Sequence, residues 1–253
     1  LEAYGETSVN YNRDIEIFPV LNAMLEGILG ESPYKSPTDM GVNMVGFAIS
    51  DDEAVKDAAK QEIIRRYYSA LVCERQGMSN ETDSEKIELL MKQVGATVDD
   101  RPVVQYAIEK AETEGSPATA IEMPDGKIIT GKTSSLLGAA SAMLLNALKY
   151  LAGIDDSVNL ISPTIIEPMQ KLKTEIMGNH NPRLHTDEIL IALSICAATD
   201  DLAKSALDNA YKLAGCEAHS SVILSGVDEN VFRKLGVNLT CEPKYQTKKL
   251  YHN

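Results

Sequence analysis

The chain has 253 residues, 37 of them acidic and 24 basic, for a net charge of −13. That balance opposes a phosphate backbone and excludes nucleic acid as a default partner. Hydrophobic residues at 44% and charged residues at 24% describe an ordinary globular mix, and a chain this long buries a sizeable core without a disulfide or metal staple.

Nothing in the sequence reads as a membrane span. The longest apolar run, Leu136 to Leu151, is interrupted by Ser141, Asn146 and Lys149 and falls short of the about 18 residues needed. Leu1 to Asp14 lacks the basic and apolar regions of a secretory signal, and Cys73, Cys196, Cys216 and Cys241 follow no disulfide framework. The expectation is a cytoplasmic protein with reduced thiols. The chain also opens on Leu1 rather than Met, in polar sequence, which points to an upstream part.

In chain order, Val20, Leu21, Met24, Leu25 and Ile28 predict an amphipathic helix from Pro19 to Leu29, stopped by Gly30. After a Pro/Gly loop, Ser50 and Glu53 form a capping-box pattern ahead of Val55, Ala59, Ile63, Tyr67 and Leu71, and Gly77 closes that helix. Thr82 and Glu85 open a third helix ending at Gly95, and a fourth runs from Pro102 to Glu114. Met24, Met91 and Met143 read as core packing. Gly115-Ser116-Pro117 then breaks the pattern.

Beyond the break, Ala120–Met123 and Lys127–Thr130 predict a hairpin turning on Asp125-Gly126. A small-residue helix from Ser135 to Ala152 and a strand from Val158 to Ile161 follow. Helices are predicted from Pro163 toward Ile176, from Asp187 to Ala198 and from Asp200 to Ala214, each opened by Ser or Thr. Ile189 to Leu193, apolar nearly all round, belongs at the centre. Ala218–Leu224, Asp228–Leu235 and Val237–Thr240 form a strand-helix-strand unit. The fold expected is α/β with a helical subdomain: an all-α unit over 1–116, an α/β subdomain over 117–243 and a short basic tail over 244–253.

Three places carry candidate chemistry. Gly126 to Thr133 fits the phosphate-loop pattern G-x-x-x-x-G-K-[ST], but Lys127 to Thr130 reads as a strand, which contradicts the loop that pattern requires. The milder reading keeps Gly131, Lys132, Thr133 and Ser134 as an anion-binding turn at a helix start, against an ordinary Ser/Thr cap. His185, Asp187 and Glu188 open the central helix, where they suit acid–base work or simply satisfy the helix dipole. Cys216 and His219 form a Cys-x-x-His pair that suggests a nucleophilic pair or, with Cys241 and either His185 or Cys196, a zinc site. No second ligand pair supports zinc, so no metal residues are assigned. No cofactor follows from these residues.

A family resemblance rests on Glu2 to Gly5, Asn10 to Asp14, Ser32 to Gly41, Thr130 to Ser134, His185 to Glu188 and Gly215 to Ser221, in that order. Together they resemble the bacterial family catalogued as domain of unknown function eighteen-forty-six. The resemblance implies that the chain corresponds to the C-terminal half of a protein about twice as long. Its missing N-terminal domain would be a partner, with a phosphate-loop-like segment of its own. It also implies a cytidine-deaminase-like topology for the α/β subdomain, although the H-x-E and P-C-x-x-C signatures of zinc deaminases are not in the sequence.

Two functions follow as expectations. One is a fragment of an enzyme that binds a phosphorylated or nucleotide-like small molecule; the other is a structural, homo-oligomeric module without catalysis. Lys132, His185, Glu217 and His219 in one cleft would favour the first, and separate faces would count against it.

Overall fold

The computed structural model describes residues 11–32, 52–79 and 82–246. The chain divides into two compact units, Leu1–Arg101 and Pro102–Asn253. The sequence places its break at Gly115; the structure assigns the helix Pro102–Glu114 to the second unit, because that helix covers one face of the sheet.

The first unit contains α1 (Tyr11–Leu29), α2 (Asp52–Arg75) and α3 (Thr82–Val94). Helix α1 starts eight residues before the position its apolar spacing predicts and carries Pro19 inside it. Its Val20, Met24 and Ile28 are exposed, so Met24 is not the core residue that its spacing suggests. In α2 the buried stripe is Ala59, Ile63, Ile64 and Tyr68 rather than Tyr67. Leu90 and Met91 of α3 are buried as expected. The Glu74 carboxylate of α2 accepts hydrogen bonds from both the N–H and the hydroxyl of Ser84 at 2.8 Å, and so caps α3 from a neighbouring helix. The Ser50 cap and the Ser32 to Gly41 motif beyond Ser32 lie outside the described residues.

The second unit runs α4 (Pro102–Glu114), β1 (Ala118–Glu122), β2 (Ile128–Lys132), α5 (Ala139–Leu151), α6 (Pro163–Lys171), α7 (Thr186–Cys196), α8 (Asp201–Asp208), β3 (Glu217–Ser220), α9 (Gly226–Lys234) and β4 (Asn238–Cys241). A π turn, Leu172–Ile176, prolongs α6. The four strands lie in the order β2-β1-β3-β4, with β1 antiparallel to both neighbours and β3 parallel to β4. The hairpin turns where Asp125-Gly126 predicts, Gly126 taking a φ of 82°.

Register assigns the two faces, because residues paired across strands share a side and neighbours along a strand alternate. Ile121, Ile129, Ala218 and Leu239 join the main core, together with Met143, Leu144 and Leu148 of α5 and Phe232 of α9. Ala120 and Ile128 point the other way, against Val103 and Ala107 of α4. The unit is thus a mixed sheet between one helix and a thicker helical layer.

Three expectations change here. Val158 to Ile161 forms no strand; Leu160 and Ile161 are buried in the main core without joining a ladder. Helix α5 begins at Ala139 rather than Ser135, because the Ser134 hydroxyl takes the N–H groups of Leu136 and Leu137 in a turn and Leu137 bridges to Leu184. Helix α7 buries Ile189, Ala192 and Leu193 but leaves Ile191 59% exposed, so it is a flank of the core, not its centre.

Gly131 sets the distance between sheet and helix. A Cβ there would lie 2.1 Å from the Met143 nitrogen, so only a hydrogen lets α5 approach β2 this closely. Gly131→Ala is expected to lower unfolding stability by about 3 kcal/mol, since backbone on both sides must separate. Gly226→Ala, exposed and without a neighbour within 4 Å, is expected to raise it by about 0.5–1 kcal/mol. Urea unfolding of both variants checks the contrast.

Candidate functional site

The N-termini of α7 and α9 are joined by one carboxylate. Asp228, in the first turn of α9, accepts the Thr186 N–H and the Thr186 hydroxyl on Oδ1, each at 2.9 Å. Its Oδ2 lies 3.0 Å from His185 Nδ1 and accepts the Ser225 hydroxyl at 2.8 Å. Ser225 in turn accepts the Asp228 N–H at 3.2 Å, as the cap of its own helix. Thr186 and Asp228 are buried, and the His185 side chain is 29% exposed.

A second carboxylate holds the other side of the same loop. Glu188 Oε2 accepts the His185 backbone N–H at 2.7 Å, the return half of a capping box. It also pairs at 2.7 Å with Lys173, a buried lysine on the π turn whose ammonium donates to the Arg183 carbonyl. The loop from Arg183 to Thr186 is therefore held at Arg183, His185 and Thr186.

These contacts set the charges. The Asp228 hydrogen bond raises His185 above its ordinary pKa of 6.5, against the opposing effect of burial. Burial alone would push the Asp228 carboxyl up, but hydrogen bonds from His185, Thr186 and Ser225 outweigh it and hold that carboxyl below its ordinary value. The Asp187 Oδ1 accepts the Glu188 N–H at 2.8 Å, a local first-turn bond.

The remaining candidates are elsewhere. Lys132 lies on the α4 face of β2 and forms an ion pair with Glu114, whose carboxyl is brought down to about 2 by Lys110 and Lys132. Gly131 is in the strand, and Lys132, Thr133 and Ser134 precede the first residue of α5 by five residues or more, so they do not form its N-terminus. His219 is fully buried on the α4 face, its Nδ1 2.8 Å from Thr240 Oγ1 and its Nε2 3.4 Å from Glu242. Cys216 is three residues from His219 along β3, on the opposite face, so the two are not brought together. Burial raises the thiols of Cys216 and Cys241, the latter to about 12, which disfavours thiolate at neutral pH. Cys241 pairs with Ser220 at the far end of β3 from Cys216. Among the described residues no three His, Cys, Asp or Glu side chains are grouped to hold a metal. Lys132, Glu217 and His219 thus share the α4 face while His185 belongs to the other layer, and the one-cleft arrangement is not formed.

Sequence reasoning found His185, Asp187 and Glu188 but missed Asp228, Ser225 and Lys173. Ser225-x-x-Asp228 is itself a capping pattern for α9, but nothing in sequence ties it to His185, 40 residues away from Ser225. Lys173 carries no local signal at all.

Comparison with known proteins adds the family. Residues 1–95 match the profile described as domain of unknown function DUF1846, N-terminal, and residues 99–251 match DUF1846, C-terminal. The chain belongs to this family. It is 58% identical over 251 residues to the UPF0371 protein CE2832 of Corynebacterium efficiens, covering 99% of this chain and 51% of that protein. The UPF0371 protein str1377 of Streptococcus thermophilus is 57% identical over 251 residues with the same coverage, 99% and 51%. The chain spans about half the length of the curated relatives it matches. One expectation is overturned. The chain is not the C-terminal part alone with the N-terminal domain as a missing partner, because residues 1–95 themselves match the N-terminal profile. Among the described residues, no helix is long and apolar enough to cross a membrane.

The His185–Asp228 pair predicts a defined pH profile. With its folded pKa raised, His185 contributes stability that is fully present below 6.5 and is lost as pH rises through the folded value. With its folded pKa lowered, Asp228 contributes above the ordinary carboxylate range and loses that contribution as pH falls through its folded value. Urea midpoints are therefore expected to fall from slightly acid to alkaline pH. Asp228→Asn is expected to remove that alkaline fall and to cost about 3 kcal/mol at pH 6, since it takes the charge from the acceptor of a buried pair.

Proposed function

We propose that the chain carries an acid–base centre for chemistry on a polar, phosphorylated or nucleotide-like small molecule, with His185 as the group that moves the proton. The observation that carries this reading is the Asp228 carboxylate, which binds Nδ1 of a part-exposed histidine while locked in place by three other donors. An ionised carboxylate only accepts, so the hydrogen-bond network assigns the proton of neutral His185 to Nδ1. Nε2 is then the lone-pair nitrogen of the neutral ring and the acid of the imidazolium. A carboxylate behind the ring fixes tautomer and orientation and stabilises the imidazolium that proton abstraction creates, the division of roles known from Asp–His pairs in hydrolases. The Asp228 hydrogen bond raises the His185 pKa above its ordinary value and so favours the imidazolium that proton abstraction creates.

Glu188 and Lys173 act as positioning residues, holding the His185 backbone and the loop before it. Asp187 faces its own helix turn and has no proton-transfer role in this reading. The cytidine-deaminase-like topology remains part of the proposal as an arrangement of strands and helices; it brings no zinc chemistry, because the residues of that signature are not in the sequence.

The test is a nitrogen-15 NMR titration of the histidine rings. His185 is expected to show the Nδ1–H tautomer and a pKa above 6.5, and Asp228→Asn to bring that pKa down. A His185 that titrates at or below 6.5, or carries its proton on Nε2, sinks the reading. For any turnover then found with phosphate esters, His185→Gln is expected to lower kcat by about 10²–10⁴ with little change in KM.

A further inference from the structure

The first turn of α5 is buried and uncapped. Gly138 at its N-cap has no side chain, and the N–H groups of Ala139, Ala140 and Ser141 find no acceptor among the described residues. All three residues are buried. A helix start leaves its first N–H groups without intrahelical partners, and burying them unmatched is costly unless something accepts them. The Ser141 hydroxyl offers no cap, since it donates to the Leu184 carbonyl at 2.9 Å.

A second, independent feature points at the same place. The Thr119 hydroxyl is fully buried and makes no hydrogen bond. Thr119 pairs with Gly131, where an added Cβ would run into the Met143 backbone of α5, and so stands on the face that carries α5. It lies one strand away from that contact, about 5 Å, and Met143 is about one helical turn from Ala139. Ser220 is its partner across β1 and β3 on the same face. The Ser220 oxygen accepts the Val222 N–H at 3.4 Å, which leaves its proton to donate. Two hydroxyl donors thus stand on the sheet face that α5 covers, towards the end of the sheet at which α5 starts.

The rim supplies charge. Arg183 Nε donates to the Ser134 carbonyl at 2.8 Å, placing a guanidinium on the turn that leads into α5, and Gly138 itself is part-exposed. Gly138 N–H also approaches the Leu184 carbonyl, and Leu184 is followed by His185.

We infer that the first turn of α5, with Thr119 and Ser220, is a binding site for a small oxyanion, the phosphate or carboxylate group of the molecule on which the His185 centre acts. Donors with no acceptor, a helix dipole whose positive end faces them and a nearby guanidinium share one requirement, negative charge on oxygen. The inference rests on the acid–base reading only for the claim that the bound molecule is a substrate; the anion site stands on its own donors.

Calorimetric titration of the full chain with sodium phosphate, and separately with sodium acetate, against sodium chloride of equal ionic strength tests it. Saturable binding of one anion per chain is expected, phosphate identifying a tetrahedral ligand and acetate alone a carboxylate. Thr119→Val keeps shape and removes the hydroxyl, and is expected to weaken binding about tenfold. Gly138→Asp places a carboxylate at the cap in an extended backbone (φ −67°, ψ 160°) with only an ordinary 3.8 Å contact to Leu184 O. It is expected to abolish binding and to raise Tm by a few degrees, as an internal anion takes the vacated donors. Gly226→Ala, outside the site, is expected to bind as the native chain does. No saturable binding of either anion, or binding unchanged in Gly138→Asp, overturns the inference. The His185 titration is read without any anion, so failure of one leaves the other decidable.

Discussion

One buried carboxylate holds the helical layer of the second unit together. Asp228 belongs to α9 yet caps α7, and the same two oxygens hold the His185 ring and the Ser225 hydroxyl. Burying a carboxylate is costly unless its lone pairs are met, and here hydrogen bonds from three residues meet them. The consequence is geometric. Two helix N-termini that are 40 residues apart in sequence cannot move independently, and the histidine between them has its ring orientation set by the fold rather than by its own rotamer preference.

The second constraint is Gly131, whose missing side chain lets α5 settle onto β2. Once α5 is down, Leu137 bridges to Leu184, and the Leu184 carbonyl collects Gly138 N–H and the Ser141 hydroxyl. The start of α5 is thereby tied to the residue just before His185. The starts of α5, α7 and α9 therefore meet near the carboxyl end of β3, where the sheet changes from antiparallel to parallel pairing.

Local grammar explains what the sequence shows and what it hides. The hairpin on Asp125-Gly126, helix α4 from Pro102 to Glu114 and the β3-α9-β4 unit are legible, because turn residues, caps and apolar period agree over short spans. Val158 to Ile161 reads as a strand because a short apolar run carries no information on whether a neighbour has a free edge to offer. Ile191 reads as core because an apolar helix segment does not say which side is covered. At the site, His185 and Glu188 are visible through their own capping box. Asp228 and Lys173 are not, because their role depends on which helix start comes to lie beside them.

The phosphate-loop pattern misleads because local letters do not fix the partner of a strand. Gly126 to Thr133 has the right letters, but Ile128 to Lys132 is committed to ladder pairing with β1, and Lys132 is neutralised by Glu114 on the far face of the sheet. Helices α7 and α9 have an internal anion already, Asp228, whose hydrogen bond raises the affinity of His185 for its proton. Helix α5 has a glycine cap and no side-chain acceptor there, and the turn that leads into it holds the Arg183 guanidinium. Adjacent helix starts of the same polarity are thus set to opposite tasks by a single difference: whether the protein supplies the negative charge itself or leaves it to be brought in.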